Sequence, residues 1–446
     1  MKKLNFVYNY MTPNGPITNQ LMPDLGSLLG DVPQSRKYHA QAFRLFKHDQ
    51  VVLHCPFYYS NIGPTWVDTK GNNQWYTLPK EHFIYDIGGR WPDGHFTSEF
   101  YPGEGIWDRF NHPIEIRNRL IQGTAHVLFY AEGEAWCDKP TMDIINNYWD
   151  NLGIPRTSVI YLTNAPNAES LMQEWYGDNH VQMAYPGYFR HQEYRTPYTN
   201  LPKEYKPGPR KKLFLCWNRN LHEHRVWMYL TLFKQNLLDK FYISFPSKSS
   251  NRKSASFVTV ADSCLTNESF DQGNKLKHLL NIEDEDVMHA GGSLPKVLDS
   301  FNLNDFNRIN SSSGVEDFYA NSLIHVIPET EFFGDFIHVT EKTWKAINFL
   351  QPFIVLATPG HLAYLRSIGF KTFGDFWDES YDDIGDHCMR LKAIMDVISQ
   401  IATWSEAQQV EFSHAVKPIV DHNLMHYQTL GPIESDAFVE RFGVTS

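Results

Sequence analysis

The sequence predicts an α/β protein of two domains built on parallel sheets. A chain of 446 residues exceeds the size over which one hydrophobic core keeps growing, so two domains are expected. Short β-rich runs alternate with helical patterns, the signature of βαβ units. The clearest patterning runs from Asn321 to Gly374. It reads as strand Leu323–Ile327, a loop with Glu329 and Glu331, a helix opened by Thr340-Glu341-Lys342, strand Phe353–Leu356, the turn Thr358-Pro359-Gly360 and another helix. Ligands of such sheets sit beyond the carboxyl ends of the strands. Those ends hold Glu329, Thr340, Glu341 and Lys342 here.

In the first half, Phe6–Tyr10, Val51–His54, Phe83–Asp86, His126–Ala131 and Ser158–Leu162 read as strands. Helical patterns are weaker, at Lys37–Phe46 and Met142–Leu152. Carboxylates follow two of the strands: Asp86 before Ile87-Gly88-Gly89-Arg90, and Glu132 and Glu134 after the run ending at Ala131. A carboxylate just past an apolar strand stands at the sheet edge where ligands bind. The ordinary alternative is a loop residue or a helix cap.

Residues 200–212 mark a boundary, because Pro202, Pro207 and Pro209 deny a ladder and stiffen the segment. Two domains are therefore expected over 1–205 and 206–446, with the last helix packing back on the first. The segment also carries Lys203, Lys206, Arg210, Lys211 and Lys212 against one Glu, a run that is ordinarily solvated but suits a polyanion.

The second half opens with strand Leu213–Cys216 and the exit loop Trp217-Asn218-Arg219-Asn220. Val226, Leu230, Phe233 and Leu237 then define one face of a helix. Phe241–Phe245 is the next strand, and the polar stretch Pro246–Asp286 reads as partly loop. Leu391, Ile394, Met395, Ile398 and Ile401 mark an amphipathic helix, and a last helix starts near Ser405. Arg219 and Arg225 flank the first of these helices, where an arginine fork would clamp a diphosphate. Lys342 opposes the dipole of its own helix by about 0.3–1 kcal/mol, a cost that a neighbouring anion would offset.

Hydrophobic residues make up 42% and charged residues 20%, which excludes a disordered chain. A net charge of −11 argues against nucleic-acid binding through the overall field. The five cysteines contain no C-x-x-C pair, as expected for buried thiols in a reducing cytoplasm. Met1-Lys2-Lys3 leads straight into a strand, so no signal peptide is expected, and no apolar run approaches the ~20 residues of a membrane span. No P-loop is present. Gly88-Gly89 and Gly291-Gly292 read as turns. His422 and His426 have i, i+4 spacing without the Glu or third ligand of a zinc helix, so a surface or packing role is expected of them. No Asp-x-Asp follows a strand, so catalysis without metal or resident cofactor is expected.

The ordered set Pro328-Glu329-Thr330, Val339-Thr340-Glu341-Lys342-Thr343 with Lys345-Ala346-Ile347, Pro352-Phe353-Ile354-Val355, Gly369-Phe370 with Thr372-Phe373, and Asp378-Glu379-Ser380-Tyr381-Asp382 resembles the donor-binding half of certain glycosyltransferases. It is similar to the T-E-K element of α1,3-fucosyltransferase-like and exostosin-like enzymes of the GT-B type, and to glycosyltransferases of tailed bacteriophages. The resemblance covers residues 211–390. It implies two Rossmann-like domains facing a central cleft, with a UDP- or GDP-sugar held by the C-terminal one. Arg219, Arg225, Thr340, Glu341 and Lys342 would bind this donor, and Glu329 with Glu341 would hold ribose or base hydroxyls.

Glu329 and Glu341 stand twelve residues apart, wider than the glutamate pair of many retaining GT-B enzymes, which leans toward inversion. An inverting displacement needs a base from the first domain; Glu132 or Glu134 is the first candidate and Asp86 the second. The phage resemblance implies a hydroxymethylated pyrimidine, such as hydroxymethylcytosine, in double-stranded DNA. Arg210, Lys211 and Lys212, with Lys248, Arg252 and Lys253, would meet its backbone. The alternatives are a capsule or lipopolysaccharide acceptor, and a non-catalytic nucleotide-sugar or carbohydrate-binding protein.

Overall fold

The computed structural model describes residues 2–10, 51–58, 80–86, 114–130, 137–185, 202, 204–248, 256–263, 270–296, 298, 315–429 and 433–445. The chain divides into two compact units: Met1–His191 with Gly431–Ser446, and Gln192–Leu430. Residues 200–212 therefore belong wholly to the second unit, while the C-terminal helix belongs to the first. The expected helix Lys37–Phe46, the Gly88-Gly89 turn, Glu132, Glu134, Lys203, Arg252 and Lys253 lie outside the described residues.

The first unit holds a sheet of parallel strands β1 (Lys2–Tyr10), β2 (Val51–Tyr58), β3 (Phe83–Asp86), β4 (Ala125–Tyr130), β5 (Val159–Leu162) and β6 (Gln182–Ala184). Its order is β1-β3-β4-β5-β6, with β2 also paired to β1 and the terminal strand Val444–Thr445 antiparallel to it. Helices α1 (Ile114–Ile121), α2 (Lys139–Asn151) and α3 (Ala168–Tyr176) alternate with the later strands. In β3, β4 and β5 apolar residues are buried on both faces, as a covered parallel sheet requires. Leu4, Ile84, Leu128, Ile160 and Leu162 share a core with Phe438, Val439 and Phe442 of the C-terminal helix Ile433–Phe442. Burying those three side chains contributes about 1.5–3 kcal/mol each, which holds the chain end to this unit. On the alternate residues, Phe129 stacks on Tyr161 at 4.6 Å and meets Trp149 of α2 at 5.9 Å.

The second unit is built on β7 (Lys212–Trp217), β8 (Phe241–Ser244), β9 (Ser322–Pro328) and β10 (Phe353–Leu356), all parallel, in the order β10-β9-β7-β8. Every residue of β9 and β10 is buried. Around them run α4 (Glu223–Lys234), α5 (Phe257–Ser263), α6 (Phe270–Leu280), α7 (Asp284–Gly292), α8 (Val315–Ala320), α9 (Glu341–Asn348), α10 (His361–Ser367), α11 (His387–Ala402) and α12 (Glu406–Thr429).

Two expectations change together. Much of Pro246–Asp286 is helical (α5, α6 and the start of α7), and Gly291-Gly292 closes α7 instead of forming a turn. Of these helices α5 and α7 pack on α4, while α6 packs on α11, and α4 is buried all round from His224 to Leu232. Its expected single face is a poor description: Trp227, Met228 and Leu232 are as buried as Val226 and Leu230, while Phe233 and Leu237 are only half-buried. A helix covered on all sides is apolar on all sides.

His422 and His426 stack at 5.8 Å on α12 and bond the carbonyls of Gly369 and Ile368 at the end of α10, at 3.0 and 2.6 Å. They act as a helix C-terminal cap. Among the described residues no helix is long and apolar enough to cross a membrane. No group of three or more His, Cys, Asp or Glu among them could hold a metal ion.

Candidate functional site

In the second sheet the chain runs from β7 outward to β8, then returns to the other side of β7 as β9. The order therefore reverses between β7 and β9, and the crevice outside their carboxyl ends is where open α/β sheets bind ligands. From β7 issue Asn218, Arg219 and Asn220, then α4 with His224 and Arg225. From β9 issues Glu329, then Thr330-Glu331-Phe332-Phe333 and, after the loop, α9.

Glu329 is fully buried. Its carboxylate accepts from Thr340 N at 3.2 Å, from Thr343 Oγ1 at 2.7 Å and from the Thr340 hydroxyl. Lys342 Nζ lies 3.6 Å away and donates to Thr340 Oγ1 at 2.9 Å and Thr330 Oγ1 at 3.3 Å. Burial opposes ionisation of Glu329, but Lys342, His361 and the Thr340 bond outweigh it and leave its pKa below the usual value. Two expectations are corrected here. The anion that offsets Lys342 at the start of α9 is the protein's own Glu329. With both oxygens engaged and no exposure, Glu329 holds α9 in place and is not presented to a ribose. Glu341 remains partly exposed; burial opposes its ionisation, but Lys342, Lys345 and a helix-terminal amide bring it down to about 2.

Arg225 differs from an open fork as well. It is buried, and its guanidinium donates to the carbonyls of Glu329 at 3.0 Å and Asn220 at 3.4 Å. His224 Nε2 bonds the same Glu329 carbonyl at 2.9 Å. A second buried arginine, Arg390 of α11, binds the carbonyls of Phe332, Ile384 and Gly385, and its guanidinium lies 4.5 Å over the Phe332 ring. His224 stacks on Phe332 with centroids 5.1 Å apart. The Glu329–Phe332 segment is thus clamped by two cations.

Neither arginine has an ion-pair partner among the described residues. Burial lowers both to about 10, still charged at neutral pH. Desolvated charge without a paired carboxylate is costly for the fold, and the cost falls when an anion arrives. Asn218 Oδ1, His224 Nδ1, Arg225 Nε and both ring nitrogens of His361 are buried without a hydrogen-bond partner among the described residues. Burial keeps His224 and His361 below their ordinary pKa, reinforced at His224 by Arg225 and opposed at His361 by Glu329 and Asp382, and burial brings His338 down to about 4, so these imidazoles add no charge at pH 7.

Of the residues read from the sequence, Arg225, Glu329, Thr340, Glu341 and Lys342 come together, and Arg219 stands half-buried on the same β7 exit loop. Arg210, Lys211 and Lys212 do not join them, because they precede or open β7, at its amino end. Arg210 is tied to the carbonyls of Lys206, Gly208 and Pro209 and Lys212 to that of Asp239, so neither is an open cation. Asp86 ends β3, beside β1, where the first sheet reverses its order between β2 and β3. His224, Phe332, Phe333, His361 and Arg390 were missed. Arg390 had a readable signal: four residues before Ile394, it falls on the apolar stripe of α11, where a cation must have a buried task.

No known family model and no curated protein matches this chain.

Proposed function

We propose that the protein is a glycosyltransferase that takes a UDP- or GDP-sugar at the β7/β9 crevice of its second unit and transfers the sugar to a hydroxyl acceptor. The observation that carries this reading is positive charge gathered at a sheet's switch point. Arg219 follows β7 and Lys342 opens α9 after β9, and two buried arginines, Arg225 and Arg390, have no ion-pair partner among the described residues. A diphosphate leaving group needs such a place, since charge builds on it as the glycosidic bond breaks. The twelve-residue α4 also opens there, with His222 as an N-cap whose side chain makes no capping bond. Arg219, Lys342 and the first amides of α4 would touch the diphosphate, with Arg225 acting on it from below.

In this reading the two units are the Rossmann-like domains of a GT-B enzyme, and the first supplies the base. Asp86 is favoured by its place at that sheet's own switch point; Glu132 and Glu134 remain candidates. The engaged state of Arg210 and Lys212 removes support for a DNA backbone contact at that run. With a net charge of −11, a glycan hydroxyl is the better-supported acceptor and hydroxymethylated duplex DNA the second.

The test is nucleoside diphosphate release from UDP- and GDP-sugars, with capsule or lipopolysaccharide fragments and with hydroxymethylated DNA. Release with an acceptor supports transfer. Tight nucleotide binding without any release would identify a non-catalytic nucleotide-sugar-binding protein, and no binding at all would overturn the proposal.

A further inference from the structure

Just beyond Glu329 the chain places an aromatic side chain that the core does not use. Phe333 is 38% exposed, among few large hydrophobics of the described residues to be so. It is nevertheless held in place. Phe332 meets it edge-on at 5.2 Å, His387 at 5.3 Å and His224 at 6.0 Å. Phe332 beneath is fixed between the His224 ring and the Arg390 guanidinium, which also binds the Phe332 carbonyl. All three contacts are edge-to-face in geometry, and more than a third of Phe333 still stays exposed.

A rigid exposed ring costs hydration free energy that burying it would recover. Its neighbour His224 directly precedes Arg225 and touches the Glu329 carbonyl that Arg225 binds, so ring and anion site share one support. A ligand joining a flat aromatic group to a diphosphate would engage both. His387 is lowered by burial and then by Arg390, so at neutral pH the shelf is uncharged beside the cations.

We propose that Phe333, backed by Phe332 and His387, is the stacking platform for the nucleobase of the donor. This rests on the glycosyltransferase reading and extends it. The diphosphate goes to the switch-point cations and the base to Phe333. Stacking is tolerant of base identity because every base has a π-face, so discrimination among bases must come from other contacts.

The test is titration of the full-length chain with UDP, GDP and inorganic pyrophosphate, for the wild type, Phe333→Ala and Phe333→Trp. Phe333→Ala should weaken the better-bound nucleotide roughly ten-fold, within the range that base–aromatic stacking supplies. Pyrophosphate, which has no base, should bind it as it binds the wild type, and Phe333→Trp should restore nucleotide affinity. Unchanged nucleotide affinity in Phe333→Ala, or an equal loss for nucleotide and pyrophosphate, overturns the platform while leaving the diphosphate site standing. If the wild type binds none of the three probes, the glycosyltransferase reading itself fails and the platform with it.

Discussion

Glu329→Gln isolates the role of the buried carboxylate. Glu329 has no exposure, so solvent does not screen what it does. Its carboxylate takes three donors, at Thr340 N, the Thr340 hydroxyl and Thr343 Oγ1. An amide keeps one oxygen and presents an NH2 in place of the other, so at least one of these donors must reorient. Lys342, 3.6 Å away, loses its counter-ion. Hydrogen bonds to a charged group contribute about 1.5–3 kcal/mol each, and the amide retains part of them. The second unit should lose about 3 kcal/mol, or roughly 6–12 °C in its melting temperature. Urea unfolding followed by tryptophan fluorescence reads this directly, because Trp227 and Trp344 are buried in that unit.

The pH dependence adds an independent check. The folded pKa of Glu329 lies below its ordinary value of 4.5. Its ionic contribution is therefore present in full above that value and fades as pH falls through the folded one. The gap between wild type and Glu329→Gln should narrow in acid. Equal unfolding midpoints at neutral pH, or a gap that widens on acidification, would refute the reasoning.

Arg219→Ala should abolish donor use while far-UV circular dichroism stays unchanged, and Lys342→Ala should abolish it with a lowered unfolding midpoint, because buried Glu329 loses its counter-ion; wild-type turnover in both would remove them from the diphosphate site. Arg225→Met should bind pyrophosphate about ten-fold more weakly, the effect of losing ~1.4 kcal/mol of charge interaction, with a shallower dependence of binding on salt. Unaltered affinity by calorimetry would show that its buried charge does not reach the ligand. Gly369→Ala should destabilise the second unit, since Gly369 has φ +94° and an added Cβ would stand 2.6 Å from His426 Nε2. The cost should be of order 1–3 kcal/mol, measured by urea unfolding, and a stable variant would contradict the cap described for His426.

How much of the site was legible depends on how local each signal is. The strand runs Phe83–Asp86 and Phe353–Leu356 coincide with β3 and β10, and Thr340 caps α9 through its hydroxyl, at 3.3 Å from Lys342 N. Strand identity and capping are written within a few consecutive residues, so they survive without tertiary knowledge. Pro246–Asp286 misled because its Ser, Asn and Lys content resembles a loop, and helices held by packing need no strong propensity of their own. The same gap hid the all-round burial of α4, since a helix face is a matter of what covers it.

The sequence alone determined that the chain is α/β and where its principal strands lie, and it placed Arg219, Arg225, Glu329, Thr340, Glu341 and Lys342 in the segments that follow strands. Tertiary structure decided what each of them does there. Strand order put the reversal between β7 and β9, turned Glu329 inward as the counter-ion of Lys342, spent Arg225 and Arg390 on carbonyls, and left Phe333 facing outward. The physical reason is that charge and hydrogen-bonding capacity belong to a residue, whereas burial and partner belong to the contacts between segments distant in the chain.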